Sequence, residues 1–224
     1  MICFIIALPK EAEKLLNMTE NLEKISLADK LCYKGVLCGK DVIIAISGIG
    51  KVSAALTTQL LIDKFSPKFI FNFGTCGGTN NSVSVTNYYL IDKCCQYDFD
   101  LSKLDNVPVG YIQDYDTVFF PTTTHGLEDF ERVALASADK FTCEKSDVDV
   151  INRMGCAVCD MEGGAIAQVC TSNNVPLYMI KGISDVHGSG TQSEQFYKNL
   201  QAVGDGFPAV IIKALKRIIE FNNI

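Results

Sequence analysis

Three apolar runs constrain this chain more than anything else in it. Ile2-Cys3-Phe4-Ile5-Ile6-Ala7-Leu8 contains no polar residue, and Phe69 to Phe73 and Leu177 to Ile180 come close to it. A strand that is apolar at every position, rather than at every second one, is buried on both faces and needs helices on each side of its sheet. Each run is followed by a turn rich in glycine or acid and then, in two cases, by a helical pattern. The implied class is α/β. In such sheets, ligands bind just beyond the carboxyl ends of the strands.

The turns are where the chemistry collects. Pro9 opens a helix through Leu16 and places Glu11 in its first turn, above the end of the first strand, although Glu13 could fill the same role. Gly74-Thr75-Cys76-Gly77-Gly78 ends the second run with a hydroxyl among glycines. Gly155 to Val158 reads as a buried strand that leads into Asp160, a natural N-cap, and Glu162, in the first turn of the next helix. Gly182-Ile183-Ser184-Asp185 follows the third run and places Asp185 just past a parallel strand. Any one of these acids is an ordinary cap. Several of them at strand-to-helix junctions make a site the better reading.

The remaining pattern is plainer. Short strands are expected at Lys24 to Leu27, Leu31 to Cys38 and Val42 to Ile46, with Gly39-Lys40-Asp41 as the turn between the last two. Ser47-Gly48-Ile49-Gly50-Lys51 enters a helix with Val52, Leu56, Leu60 and Leu61 at helical spacing. Residues 98 to 129 read as loops and short strands, suited to an active-site cover or a subunit contact. After Asp185 comes a polar loop from Gly188 to Gln192, then a helix from near Ser193. Gly204, Gly206 and Pro208 are expected to break or kink it before a last helix, Ala209 to Phe221.

Composition closes off several classes. A chain of 224 residues fits one domain, 1–224. Its net charge of −6 and the lack of any Lys or Arg run argue against nucleic-acid or anionic-membrane partners. The run from Ile2 to Leu8 is too short to span a bilayer and has no basic region before it. The ten cysteines are then most simply free thiols in a reducing cytoplasm. Cys156 and Cys159 form a lone C-x-x-C, and neither His125 nor His187 is spaced to complete a zinc site, so no metal is expected.

Ser47-Gly48-Ile49-Gly50-Lys51-Val52, Asn72-Phe73-Gly74-Thr75-Cys76-Gly77-Gly78, Asp160-Met161-Glu162-Gly163 and Ile183-Ser184-Asp185-Val186 occur in this order. Together they make the chain resemble the nucleoside phosphorylase superfamily, and most closely its 5′-methylthioadenosine/S-adenosylhomocysteine nucleosidases. The resemblance implies a three-layer α/β/α sandwich around a mixed, partly barrel-like sheet, in a homodimer that needs no cofactor. It implies that Glu11 activates water and that Asp185 protonates the purine at N7. Met161 and Glu162 would hold the ribose, Phe141 would stack on adenine and the Thr142 backbone would meet the base edge. Thr75 and Gly77 would line the water and ribose side, and Ile49 and Phe196 the 5′ substituent. Asp160 and Ser184, beside these acids, complete the expected binding set.

The chemistry accounts for these residue types. Breaking a purine glycosidic bond leaves positive charge on the sugar and negative charge on the base, so one acid must protonate the base while another delivers water. Asp185 should therefore lie in a dry pocket that raises its pKa, and Glu11 should stay ionised at a helix start. Phosphorylases of this superfamily hold phosphate with arginines, and here no arginine precedes Arg132. That favours water as the nucleophile. The alternatives are a phosphate-dependent phosphorylase and a non-catalytic purine-binding protein.

Overall fold

A computed structural model describes residues 1–187 and 191–224. The elements run β1 (Ile2–Ile6), α1 (Pro9–Met18), β2 (Glu20–Leu27), β3 (Lys30–Leu37), β4 (Lys40–Ile46), α2 (Lys51–Phe65), β5 (Phe69–Gly78) and β6 (Tyr88–Gln96). They continue with α3 (Ser102–Asp105), β7 (Phe120–Pro121), β8 (Arg132–Ser137), α4 (Lys145–Arg153), β9 (Val158–Asp160), α5 (Gly163–Ser172), β10 (Leu177–Val186) and α6 (Gln192–Phe221). Strands β10, β6, β8, β9 and β5 pair in that order, and β5 pairs back to β10, so these five close a barrel. Strands β1, β4, β3 and β2 extend from β5 as an open wing. The mixed, partly barrel-like sheet is the expected one.

Alternation within the apolar runs builds the layers. In β1, Cys3 and Ile5 join one core with Ile43, Ile70 and Met179, and with Ala54 and Leu61 of α2 and Ile166 of α5. Phe4 and Ile6 join the opposite core with Phe71, Phe73, Tyr178, and Phe207 and Ile211 of α6. Runs that are apolar throughout thus fill both faces, as two helical layers require.

Several local expectations are corrected. The turn between β3 and β4 is Cys38-Gly39, with φ of 50° and 72°. Positive φ at both positions is the geometry that lets a two-residue hairpin follow strand twist. The strand expected at Gly155 to Val158 is β9, Val158–Asp160. Asp185 lies inside β10, opposite Gly77 of β5, after a register shift that follows Ile183. Residues 188–190 of the expected loop lie outside the described residues, and Gln192 already opens α6.

Helix α2 buries only part of the face its spacing suggests: Leu61 is in the core and Leu60 packs against it. Val52 and Leu56 are exposed, while Ala54, Thr57, Thr58 and Leu61 are buried. The threonine hydroxyls donate to Ser53 O (2.8 Å) and Ala54 O (2.7 Å) within the helix, so these residues can be buried without an unmet donor.

Helix α6 is continuous through Pro208. Gly206 is a packing slot. A Cβ on Gly206 would stand 2.0 Å from the Tyr88 hydroxyl, which donates to Val203 O at 2.6 Å. The aromatic ring of β6 thus fills the groove where a break was expected, and its ring lies edge-on to Phe207 at 5.2 Å. Among the described residues no helix is long and apolar enough to cross a membrane.

Candidate active site

The carboxyl ends of β1, β5, β9 and β10 converge on one cavity of about 350 Å³. Glu11, Ile49, Thr75, Gly77, Phe141, Thr142, Asp160, Met161, Glu162, Ser184, Asp185 and Phe196 all line it. Every site residue expected from sequence is therefore brought to one place. Glu13 is exposed on α1 and is not part of the lining. No residue of the 98–129 segment lines the cavity either, so within this chain that segment is not its cover.

Glu11 is held almost entirely by fixed donors. Its Oε1 accepts from the Thr75 N–H at 2.6 Å and the Thr75 hydroxyl at 2.7 Å, and its Oε2 from the Leu8 N–H at 3.1 Å. Full burial nevertheless raises its pKa above the usual glutamate value, against the pull of these donors and of Lys181. The expectation of a readily ionised side chain at a helix start thus has to be set against the larger effect of burial.

Asp185 is held by side chains. Ser184 Oγ donates to its Oδ1 at 2.7 Å, and Gln192 Nε2 to its Oδ2 at 3.1 Å. Burial raises its pKa, and these two donors oppose that only in part. Ideal Cβ atoms on Gly74 and Gly77 would lie 3.2 Å from Glu11 Oε1 and 3.1 Å from Asp185 Oδ2. The two acids therefore flank positions three residues apart on β5, about 10 Å of strand.

Between them lies an acidic cluster with a buried cation beneath it. Glu162 Oε1 accepts from the Gly50 N–H at 2.8 Å, at the entry to α2. Its pKa is pushed up to about 7 by burial and by Asp160, against the pull of Lys181 and the Gly50 N–H. Glu162 is the cap residue of α5, and the Asp160 carboxylate closes the turn by accepting from the N–H groups of Glu162 and Gly163. Asp160 also takes the Ser137 hydroxyl at 2.5 Å and the Lys181 ammonium at 2.8 Å. Burial works against the charge of Lys181, but Asp160 and Glu162 outweigh it and hold its pKa above the ordinary lysine value.

Lys181 was missed in the sequence reading. Its signal was a single lysine in an otherwise apolar strand, since a charge buried there requires a partner. Cys76, Cys159 and Ala7 also line the cavity without having stood out in sequence.

The lining cation and several turn donors are already engaged. The Lys51 N–H donates to Asp139 at 2.7 Å, as those of Gly50 and Thr75 do to Glu162 and Glu11. Among the described lining residues Lys140 is the one cation, and its ammonium pairs with Asp147 at 2.6 Å. Among the described residues no three His, Cys, Asp or Glu side chains are grouped as metal ligands.

Residues 1–220 match the family model of the phosphorylase superfamily. A 5′-methylthioadenosine/S-adenosylhomocysteine nucleosidase of Tolumonas auensis is 30% identical over 224 residues, covering 95% of this chain and 97% of that one. The chain belongs to this nucleosidase family. Among solved structures, the family's enzyme from Colwellia psychrerythraea 34H in complex with adenine is 26% identical. It matches with a TM-score of 0.88 over 96% of this chain and 94% of that one. A futalosine hydrolase of Helicobacter pylori shares the fold at a TM-score of 0.85 and 24% identity, over 98% and 97% of the two chains. The nucleosidase fold thus spans nearly the whole chain.

Proposed function

We propose that this chain hydrolyses the N-glycosidic bond of an adenine 5′-thionucleoside, 5′-methylthioadenosine or S-adenosylhomocysteine, to adenine and the thioribose. One observation carries the choice of water over phosphate. Three strand-end and helix-entry N–H groups placed to cradle an external anion, those of Thr75, Gly50 and Lys51, are bonded to the chain's own carboxylates, Glu11, Glu162 and Asp139. An incoming phosphate would meet those negative charges with no unpaired lining cation to offset them.

In this reading Glu11 takes a proton from water as its oxygen bonds to C1′. The C1′–N9 bond breaks, its electron pair moves into the purine, and Asp185 delivers a proton to N7. Glu162 and Met161 hold the sugar, and the negative charge of Glu162 stabilises the cationic ribose. Phe141 stacks on the base, Thr142 meets its edge, and Thr75 and Gly77 border the sugar. Leu8, Ile49 and Phe196 offer an apolar place to a thioalkyl group. Phe141 and Phe196 already meet edge-on at 6.0 Å.

The test is a product assay with methylthioadenosine in phosphate-free buffer. Adenine should appear at a rate that added phosphate does not change, and ribose-1-phosphate among the products would turn the reading to a phosphorylase.

The exposed apolar face of α2 supports a homodimer. Val52 and Leu56 of α2 and Ile49 just before it, which lines the cavity, are 80%, 46% and 56% exposed, and a second copy of the chain would cover them. Val52→Glu should shift the sedimentation coefficient to that of a monomer; a wild-type chain that sediments as a monomer removes the proposal. The free thiols of all ten cysteines suit a reducing cytoplasm.

A further inference from the structure

Gln192, one of the two donors to Asp185, takes no part in the reaction described above. It is buried at the start of α6, and its amide nitrogen donates both to Asp185 Oδ2 (3.1 Å) and to the carbonyl of Thr142 (3.2 Å). Its amide oxygen faces His187 Nδ1 at 3.1 Å. The orientation follows from the partners, since turning the amide over would set its oxygen against two acceptors.

Both acceptors line the cavity. If Asp185 protonates N7, its carboxyl must lie against the purine edge that carries N7. The 6-substituent is next to N7 on that same edge. An exocyclic 6-amine has two hydrogens on one nitrogen, the same donor set that Gln192 now directs at Asp185 and Thr142. We propose that the Gln192 amide occupies the place of the base's exocyclic amine, so that base and side chain compete for the same two acceptors. The proposal rests on the purine reading of the site.

Displacement needs only the side chain to move. Helix α6 stays attached to β10 through other amides: Asn199 donates to Ser184 O at 2.8 Å, and Gln195 Oε1 accepts from the Val186 N–H at 3.3 Å. The opposing idea is that Gln192 is a positioning residue that keeps Asp185 in place while the base is bound. The two ideas predict opposite signs.

Calorimetric titration of free adenine into the wild type, Gln192→Ala and Gln192→Asn separates them. Competition predicts that both variants bind adenine more tightly, by about tenfold, the scale of one or two hydrogen bonds no longer broken on binding. Equal or weaker binding by the variants, with thermal midpoints showing them folded, overturns it. Should Gln192→Ala fail to fold, Gln192→Asn carries the test alone, because its shorter side chain retains an amide but cannot span both acceptors. A crystal structure with adenine is the second readout. The amide should have left both acceptors, and an amide still bridging Asp185 and Thr142 beside bound adenine overturns the competition. A wild type that neither binds adenine nor cleaves methylthioadenosine defeats the purine reading itself, which is a different result from equal adenine affinity in all three proteins.

Discussion

Glu11 and Asp185 come from different parts of the molecule and are held by different means. Glu11 follows β1, in the open wing, and its oxygens rest on two backbone N–H groups and a hydroxyl. Asp185 lies on β10, in the closed barrel, and among the described residues the groups that donate to its carboxylate are side chains, a serine hydroxyl and a glutamine amide. Burial raises both pKa values. Fixed backbone dipoles favour the charged form and cannot turn away, which suits a base that must be ionised to take a proton from water. A hydroxyl can rotate to accept a proton and an amide can swing off, which suits an acid that must hold a proton and give it up.

Breaking the two acids one at a time should give the largest effects. Glu11→Gln should lower kcat by about three orders of magnitude, the middle of the range for general acid–base catalysis, while nucleoside binding stays measurable. Near-normal turnover would take the water-activating role away from Glu11. Asp185→Asn should cost roughly two orders of magnitude, less because a base already stacked in the pocket can draw a proton from solvent. A variant of undiminished rate would end that assignment.

Glu162 joins the two regions, since it caps a barrel helix and accepts from Gly50 at the wing side. Its folded pKa is raised, to about 7 from 4.5. Its neutral form is therefore favoured by folding, and that contribution is complete below the unfolded value and fades as pH rises through about 7. Between pH 4.5 and 8 the wild type should lose up to about 3 kcal/mol of stability that Glu162→Gln keeps. Denaturant melts of both proteins across that range are the check, and parallel curves would contradict it.

The smallest changes sharpen the comparison most. Thr75→Val removes one donor from Glu11 and Ser184→Ala one donor from Asp185, so each should raise the pKa of its acid. For Glu11, which must be ionised, the acid limb of the pH–rate profile should move to higher pH, with a loss of about tenfold below it. For Asp185, which must be protonated, the alkaline limb should move to higher pH and activity at neutral pH should persist. Equal loss of neutral activity in the two variants would show that the two acids are not held for opposite tasks.

The sequence placed the candidate residues better than the elements that carry them. The acids and glycines sit in turns between strongly patterned segments, and turn chemistry is a local property. The expected break in α6 and half of the expected inner face of α2 failed because tertiary contacts overrode local pattern. In α2, threonines able to satisfy their own hydroxyls took the buried face. In α6, Tyr88 from a distant strand filled the groove that Gly206 leaves, so a glycine read as a breaker became a packing feature in a helix that continues through Pro208.

From the chain alone came the strands buried on both faces, the acids at their ends and the scarcity of arginine, because each depends only on neighbours in sequence. The fold alone decided which carboxylate meets which donor: Gly50 reaches Glu162 across 112 positions, and Lys181 is buried against Asp160. Charge, protonation and the contest at Asp185 all depend on burial and on groups far apart in the chain, and those meet only when it closes.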